Sequence, residues 1–165
     1  MVFTGTYEHT IDAKNRLAIP SRIRSLLQRE AAAATGGDPG AILLYVVLAK
    51  NNVLCLYTER EFERRAAELE NSERHPDEIL EYEELRFSLA EAVDLDSAGR
   101  IRLPENLLKM AGLGTDVVLM GVKDHLQIRD RQAWYAQRDA LLQSKPQMLM
   151  NPRQAMRRPA AQPGD

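Results

Sequence analysis

Ile11-Asp12-Ala13-Lys14-Asn15-Arg16-Leu17-Ala18-Ile19-Pro20 is repeated later in the chain as Leu95-Asp96-Ser97-Ala98-Gly99-Arg100-Ile101-Arg102-Leu103-Pro104. Every position of the first copy falls on the second at one constant offset, so the two aspartates, the two arginines and the two prolines coincide. An internal repeat at constant spacing predicts that the chain contains two copies of one structural unit.

Each copy predicts a β-hairpin with a tight turn. Asn15 and Gly99 fall on the same position, and both residue types tolerate the left-handed backbone conformation that a tight turn requires. Asp12 and Asp96 stand three residues earlier, where a short carboxylate can accept hydrogen bonds from the turn amides. We therefore interpret Asp12, Asp96 and Gly99 as turn-structuring residues.

The residues around each turn predict strand, turn, strand and helix in succession. Apolar side chains alternate after each turn, as in a half-buried strand. Pro20 and Pro104 then open a helix, because proline is favoured at the first helical position. The sequence predicts a first strand over 2–11 and helices over 21–29 and 105–110.

The rest of the chain follows the same plan twice. Glycine, aspartate and proline predict a loop that ends at Gly40, after alanines that can extend the first helix. Further predicted strands cover 41–49, 53–57, 116–122 and 126–129, and predicted helices cover 59–69 and 130–142. We divide the chain into repeat 1 at 6–61, linking helices at 62–89, repeat 2 at 90–133, a helix end at 134–144 and a basic tail at 145–165, which we predict to be disordered in isolation.

Charge is unevenly distributed along the 165 residues. The net charge of −2 lacks the basic excess typical of nucleic-acid-binding proteins, but the acidic side chains are concentrated between residues 59 and 94. Residues 1–30 and the C-terminal stretch from Gln143 both carry a positive excess. A charged fraction of 28% and a hydrophobic fraction of 44% are ordinary for a soluble globular protein.

The two hairpins resemble the MraZ family of bacterial transcriptional regulators, whose members carry two SpoVT-AbrB-type domains. The opening Phe3-Thr4-Gly5-Thr6-Tyr7-Glu8-His9-Thr10 and the later Leu85-Arg86-Phe87-Ser88 are also similar to that family, and the resemblance covers residues 1 to 142. Asn15 stands where the family usually has glycine. The resemblance implies a β-rich α+β fold, in which tandem swapped-hairpin repeats form an intramolecular pseudo-dimer with linking helices.

The tip of the first hairpin carries Lys14, Asn15 and Arg16, which are suited to reading DNA. A β-ribbon fits the major groove, where arginine can bond a guanine edge, asparagine can bond adenine, and lysine can contact phosphate. The residues alone leave a second interpretation open, in which Arg16 pairs with Asp12 and the tip is merely solvated; the resemblance favours DNA. Arg22 and Arg24 are then candidate phosphate contacts, although helix positions of this kind are often ordinary solvent-facing charges.

The second hairpin is less cationic at its tip. It offers Arg100, with Arg102 on the same strand face, and it has Ala98 where the first copy has Lys14. This difference raises the hypothesis that one hairpin reads DNA while the other serves assembly, so that Lys14→Ala or Arg16→Ala costs more affinity than Arg100→Ala.

The resemblance also implies partners. The family forms ring-shaped homo-oligomers and binds short direct repeats in double-stranded DNA upstream of the division and cell-wall gene cluster, including its own gene. An alternative is an AbrB-like assembly or antitoxin-type module without specific DNA recognition. Because the sequence shows no basic segment followed by an apolar one, as in a secretory signal, we expect a cytoplasmic location, and the regulator role also associates the protein with the nucleoid.

The sequence predicts no enzyme, cofactor, metal site, small-molecule substrate or membrane segment. His9, His75 and His125 are scattered, and neither a phosphate-binding glycine loop nor a nucleophile motif occurs. The longest apolar run, 41–49, is too short to span a bilayer as a helix.

Overall fold

The computed structural model describes residues 1–37, 40–70 and 76–150, and the chain divides into two compact units, Met1–Arg131 and Gln132–Asp165. The described residues form eight strands and six helices. In chain order these are β1 (Thr6–Thr10), β2 (Arg16–Ala18), α1 (Ser21–Thr35), β3 (Leu43–Ala49), β4 (Val53–Thr58), α2 (Glu59–Glu70), α3 (Pro76–Leu89), β5 (Glu91–Asp94), β6 (Arg100–Arg102), α4 (Glu105–Ala111), β7 (Asp116–Val122), β8 (His125–Asp130), α5 (Arg131–Ser144) and α6 (Gln147–Met150).

The strands of the first unit form a six-stranded sheet and a separate two-stranded ribbon. The sheet has the order β1-β7-β8-β4-β3-β5, and the ribbon consists of β2 and β6. In chain order, the strands β1 to β4 of the first repeat correspond to β5 to β8 of the second. Exchanging each strand for its counterpart reverses the order of the sheet and leaves the ribbon unchanged. The two repeats are therefore related by a pseudo-two-fold axis, which passes between β4 and β8.

The repeats are intertwined because the first strand of each pairs with a strand of the other. β1 of the first repeat pairs with β7 of the second, and β5 of the second pairs with β3 of the first, all antiparallel. β4 and β8 join the two halves at the centre of the sheet. The structure thus confirms the predicted β-rich α+β fold and its swapped-hairpin repeats.

One hydrophobic cluster lies between the sheet, the ribbon and the first helix of each repeat. Leu17 of β2 and Ile101 of β6 are fully buried in it, as are Ile23 of α1 and Leu107 of α4. Burial of this size contributes roughly 1.5–3 kcal/mol per side chain, and it ties the ribbon to the body of the first unit.

Some predicted boundaries differ from those observed. α1 extends to Thr35, beyond the predicted end at Arg29, because the alanines continue the helix as far as Gly36, which adopts a left-handed conformation with φ 73°. β1 begins at Thr6 rather than at residue 2 because Gly5 has φ 96°, which breaks the extended backbone.

Two further differences concern helix starts and the tail. Pro20 and Pro104 have extended ψ angles of 142° and 132°, so they precede their helices instead of forming the first helical residue. Gln147–Met150 is helical, although the sequence predicts no regular structure there. Residues 151–165 of the tail, residues 71–75 of the linking segment and residues 38–39 of the loop lie outside the described residues.

Candidate nucleic-acid interface

The first hairpin turn is held by Asp12. One oxygen of its carboxylate accepts hydrogen bonds of 2.9 Å from the backbone N–H groups of Lys14 and Arg16, and the other accepts one of 2.7 Å from Arg16 Nε. Asn15 has φ 58°, and its N–H donates to the Asp12 carbonyl. The Arg16 side chain is therefore oriented by Asp12 of its own turn. This Arg16–Asp12 pair is the one whose formation the sequence alone leaves open.

The second turn repeats this arrangement. The Asp96 carboxylate accepts hydrogen bonds from the backbone N–H of Arg100 at 2.8 Å and from Arg100 Nε at 3.2 Å, and Gly99 has φ 75°. In both turns, the hydrogen bond from the arginine N–H is the main reason why the pKa of the aspartate lies below its usual value. Both carboxylates are ionised at neutral pH and can hold the arginines.

The two hairpins meet in the ribbon. β2 and β6 are antiparallel, and Arg16 lies opposite Arg102, Leu17 opposite Ile101, and Ala18 opposite Arg100. Each strand also contacts the other turn, because the Leu103 N–H donates to the Asn15 carbonyl and the Ile19 N–H donates to the Gly99 carbonyl. The ribbon is therefore a single two-stranded surface built equally from both repeats.

One face of this ribbon is buried and the other is cationic. Since side chains alternate along a strand, burial of Leu17 and Ile101 places Arg16, Arg100 and Arg102 on the opposite face. The side chains of Arg16 and Arg100 are 32% and 36% exposed, and Arg102 is exposed. We define Arg16, Arg100 and Arg102 as the arginine face.

Arg102 is not among the site residues that the sequence predicts. Its position on the face of Arg100 is visible in the strand alternation, but its place opposite Arg16 depends on pairing between the repeats. The constant offset gives a signal, because it aligns Arg102 with Ala18 and shows that the second repeat has one more strand arginine than the first.

The two ends of the ribbon carry different cations. Lys14 lies at the end where Arg16 faces Arg102, in a cavity of about 520 Å³ whose lining also includes Leu108 and Lys109 of α4. At the other end, Arg24 of α1 packs over the turn at Gly99, where a Cβ atom would lie only 2.6 Å from Arg24 Cδ. The structure thus brings Arg24 to the second hairpin, although the two are far apart in the sequence.

Arg24 and Arg22 differ in their surroundings. Arg24 is half-buried, and its Nε has no solvent exposure and no hydrogen-bond partner within the described part of the chain. Arg22 is exposed on the first turn of α1. Of the two, Arg22 has the surroundings of a surface cation, whereas Arg24 is packed against the ribbon.

The described residues contain neither a cluster of three metal-ligating side chains nor a helix long and apolar enough to cross a membrane. The sole thiol, Cys55, is buried, and its burial raises its pKa.

Comparison with known proteins assigns the chain to a family. The family model described as "MraZ protein, putative antitoxin-like" matches residues 2–81 and 87–154. The chain belongs to the MraZ family. The matched segments contain both hairpins of this MraZ chain and therefore the whole ribbon.

Several curated relatives of this MraZ chain carry the name "Transcriptional regulator MraZ". The one from Mycoplasmoides gallisepticum is 35% identical over 133 residues, which cover 81% of this chain and 84% of the relative. The one from Neisseria meningitidis serogroup C is 32% identical over 149 residues, covering 90% and 93%. The one from Acetivibrio thermocellus is 30% identical over 133 residues, covering 81% and 84%.

Proposed function

We propose that the protein is a sequence-specific DNA-binding transcriptional regulator, not an enzyme, which inserts the β2/β6 ribbon into the major groove. The observation that carries the proposal is the arginine face, which joins three cationic side chains from two repeats on one two-stranded surface, with Arg102 exposed and Arg16 and Arg100 partly exposed. A two-stranded β-ribbon has the dimensions that the major groove admits. The names of the relatives support a regulatory role.

The turn geometry leaves Arg16 able to read a base. Asp12 engages Nε of the guanidinium, and a guanine edge requires two donors, which Nη1 and Nη2 can supply. Asn15 and Lys14 at the same tip add an amide for adenine and a cation for phosphate. Arg22, Arg24 and Arg100 provide the remaining cations of the proposed interface, and Arg102 joins them because it lies opposite Arg16.

One ribbon per chain makes few contacts, so useful affinity requires several chains. Contacts with phosphate are lost steeply as salt rises, and linked copies compensate through avidity. We therefore propose a ring-shaped homo-oligomer that binds short direct repeats upstream of the division and cell-wall gene cluster, including its own gene. This role also implies association with the nucleoid.

The second candidate function is an AbrB-like assembly or antitoxin-type module without specific DNA recognition. The pairing of both tip arginines with their own turn aspartates favours it, because it gives Arg16 and Arg100 a structural role. The family description also refers to antitoxins. The two candidates differ in whether one DNA sequence is preferred.

Titration of the protein on labelled DNA distinguishes these candidates. We would measure fluorescence anisotropy with the upstream promoter and with a scrambled duplex, and determine the oligomer mass by light scattering. Loss of one bidentate base contact should weaken binding about 5- to 150-fold. We therefore expect Arg16→Ala to weaken promoter binding within this range without changing the mass.

Two further variants sharpen the result. Arg138→Ala is the matched control, because Arg138 is an exposed α5 arginine paired with Asp139. A smaller loss for Arg100→Ala than for Arg16→Ala would support the division of labour between hairpins, and equal losses would refute it. Equal binding of promoter and scrambled DNA by an intact oligomer would reject specific recognition and favour the assembly module.

A further inference from the structure

The cavity between the first hairpin turn and α4 of the second repeat is cationic. It has a volume of about 520 Å³, and three cations and one acid line it: Lys14, Arg102, Lys109 and Glu105. Leu108 adds an apolar wall, and a wall of low dielectric beside charges mainly of one sign concentrates their field. This cavity, which we call the α4 cavity, lies wholly within the first compact unit and favours an anionic ligand.

Lys109 has a partner that it can readily exchange. Its Nζ lies 2.7 Å from a carboxylate oxygen of Glu105, and the two side chains are 74% and 68% exposed. The hydrogen bond from Lys109 lowers the pKa of Glu105, so the carboxylate is ionised at neutral pH. Ion pairs as exposed as this one contribute little to stability. Replacement of the carboxylate by another anion therefore costs little free energy.

The other end of the ribbon is built differently. The constant offset of the repeats aligns Lys109 with Ser25, an uncharged side chain whose Oγ donates to a backbone carbonyl of its own helix. It also aligns Leu108 with Arg24, whose side chain occupies the space over the Gly99 turn. A side chain of the protein therefore fills that end, whereas the α4 cavity is open to a ligand.

We infer that the α4 cavity binds one phosphate group of the DNA backbone, with Lys109 as a further contact residue. Arg102 belongs both to the arginine face and to the cavity wall, so a duplex bound to the ribbon brings its backbone next to the cavity. Lysine binds phosphate as a compact point charge on a flexible stem. This inference rests on the proposed DNA binding, and it adds a contact from α4 that is independent of base sequence.

The salt dependence of DNA binding measures this contact. The full-length protein is titrated on labelled promoter and scrambled duplexes over a fourfold range of KCl concentration. Each phosphate contact contributes about 0.9 to the slope of log K against log salt, so Lys109→Ser should flatten the slope by about 0.9 for each chain engaged. Over the fourfold range, the advantage of the wild type should shrink about 3.5-fold per engaged chain. The loss should be equal on the two duplexes, because phosphate carries no sequence information.

Further variants and a stability measurement separate this role from others. Lys109→Arg keeps the charge and should keep the wild-type slope. Arg138→Ser removes an exposed, paired cation of α5 and should leave the slope unchanged. Glu105→Gln removes the competing carboxylate and should strengthen binding of both duplexes. The urea midpoint of Lys109→Ser should equal that of the wild type, because the ion pair is exposed.

Several results would overturn the inference. A wild-type slope for Lys109→Ser would reject it and leave the proposed function intact. A loss confined to the promoter duplex would make Lys109 a base-reading residue. Saturable binding of inorganic phosphate without DNA, lost in Lys109→Ser while the DNA slope is unchanged, would assign the cavity to a free phosphorylated molecule.

Two results separate this inference from the proposed function. Equal binding of the two duplexes, with a flatter slope for Lys109→Ser, would support the phosphate contact and reject only specific recognition. Failure of the wild-type protein to bind either duplex would overturn both.

Discussion

Exchanging the turn residues of the two hairpins should have unequal effects, although the turns have the same backbone conformation. Asn15 and Gly99 have φ angles of 58° and 75°, so the first turn shows that asparagine is accepted at this position. A side chain at Gly99, however, would place Cβ 2.6 Å from Arg24 Cδ and 2.8 Å from Arg24 Cζ. Ordinary carbon–carbon contacts lie at about 3.5–4.0 Å, so Arg24 would have to move by roughly 1 Å.

This displacement sets the expected magnitude. Overpacking of a well-filled site costs about 1–3 kcal/mol, and because the atoms met belong to the flexible side chain of Arg24, we expect Gly99→Asn to destabilise the protein by about 1 kcal/mol, at the low end of that range. Asn15→Gly relieves a left-handed asparagine but adds freedom to the unfolded chain, so its net effect should stay within about 0.5 kcal/mol. The measurement is urea unfolding followed by circular dichroism, at one protein concentration for all variants because assembly affects stability.

A double-mutant cycle tests the cause. The counterpart of Arg24 in the second repeat is Leu108, which lines the same cavity as Asn15, so leucine can coexist with asparagine at this turn. Gly99→Asn should therefore cost about 1 kcal/mol less in an Arg24→Leu background than in the wild-type protein. An equal cost in both backgrounds would show that contact with Arg24 is not the reason.

Three further predictions concern stability. Leu17→Ala should lower the free energy of unfolding by about 3 kcal/mol, because the side chain is fully buried beneath the ribbon. Ala18→Ser, on the exposed side, should change the free energy of unfolding by less than about 0.5 kcal/mol. Similar urea midpoints for the two variants would contradict this difference. Gly121→Ala would place Cβ 2.5 Å from the Phe3 carbonyl carbon and should lower the free energy of unfolding by about 2–4 kcal/mol. The Phe3 amide, which donates to the Lys123 carbonyl, should lose its hydrogen-exchange protection. Protection equal to that of the wild type would refute the prediction. Because the folded-state pKa values of Asp12 and Asp96 are lowered, the stability they contribute is present above about pH 4 and is lost as the pH falls through the folded-state values. The Asp12→Asn/Asp96→Asn protein should therefore lose less stability than the wild type between about pH 6 and pH 2, and parallel losses in urea titrations would argue against this assignment.

The repeat and its turns are predictable because local chemistry determines them. Few residues tolerate a left-handed turn, and an aspartate three positions earlier can accept hydrogen bonds from the turn amides, so Asn15 and Gly99 identify both hairpins from the sequence alone. The intertwined fold follows from the resemblance to a known family rather than from the hairpins themselves. Local signals are less informative about boundaries, as the interruption of the first strand by Gly5 shows.

Contacts between residues distant in the sequence are not predictable in the same way. Arg24 has the features of an ordinary helix cation, and its contact with the Gly99 turn depends on how the repeats interlock. The position of Arg102 opposite Arg16 likewise requires the strand register between the repeats. The arrangement of the candidate interface depends on such pairings, which is why the candidate site is only partly predictable.

The unlike ends of the ribbon give the proposed DNA complex a polarity. A DNA-binding surface with exact two-fold symmetry forms the same complex when it is rotated by a half-turn, and its preferred DNA site is a palindrome. Here one end combines Lys14, Arg16 and Arg102, and the other combines Arg100 with Arg24, so a half-turn produces a different complex. Copies arranged head-to-tail would all point the same way along the duplex. We expect such an array to prefer tandem sites in one orientation, and to lose affinity when one of two neighbouring sites is inverted.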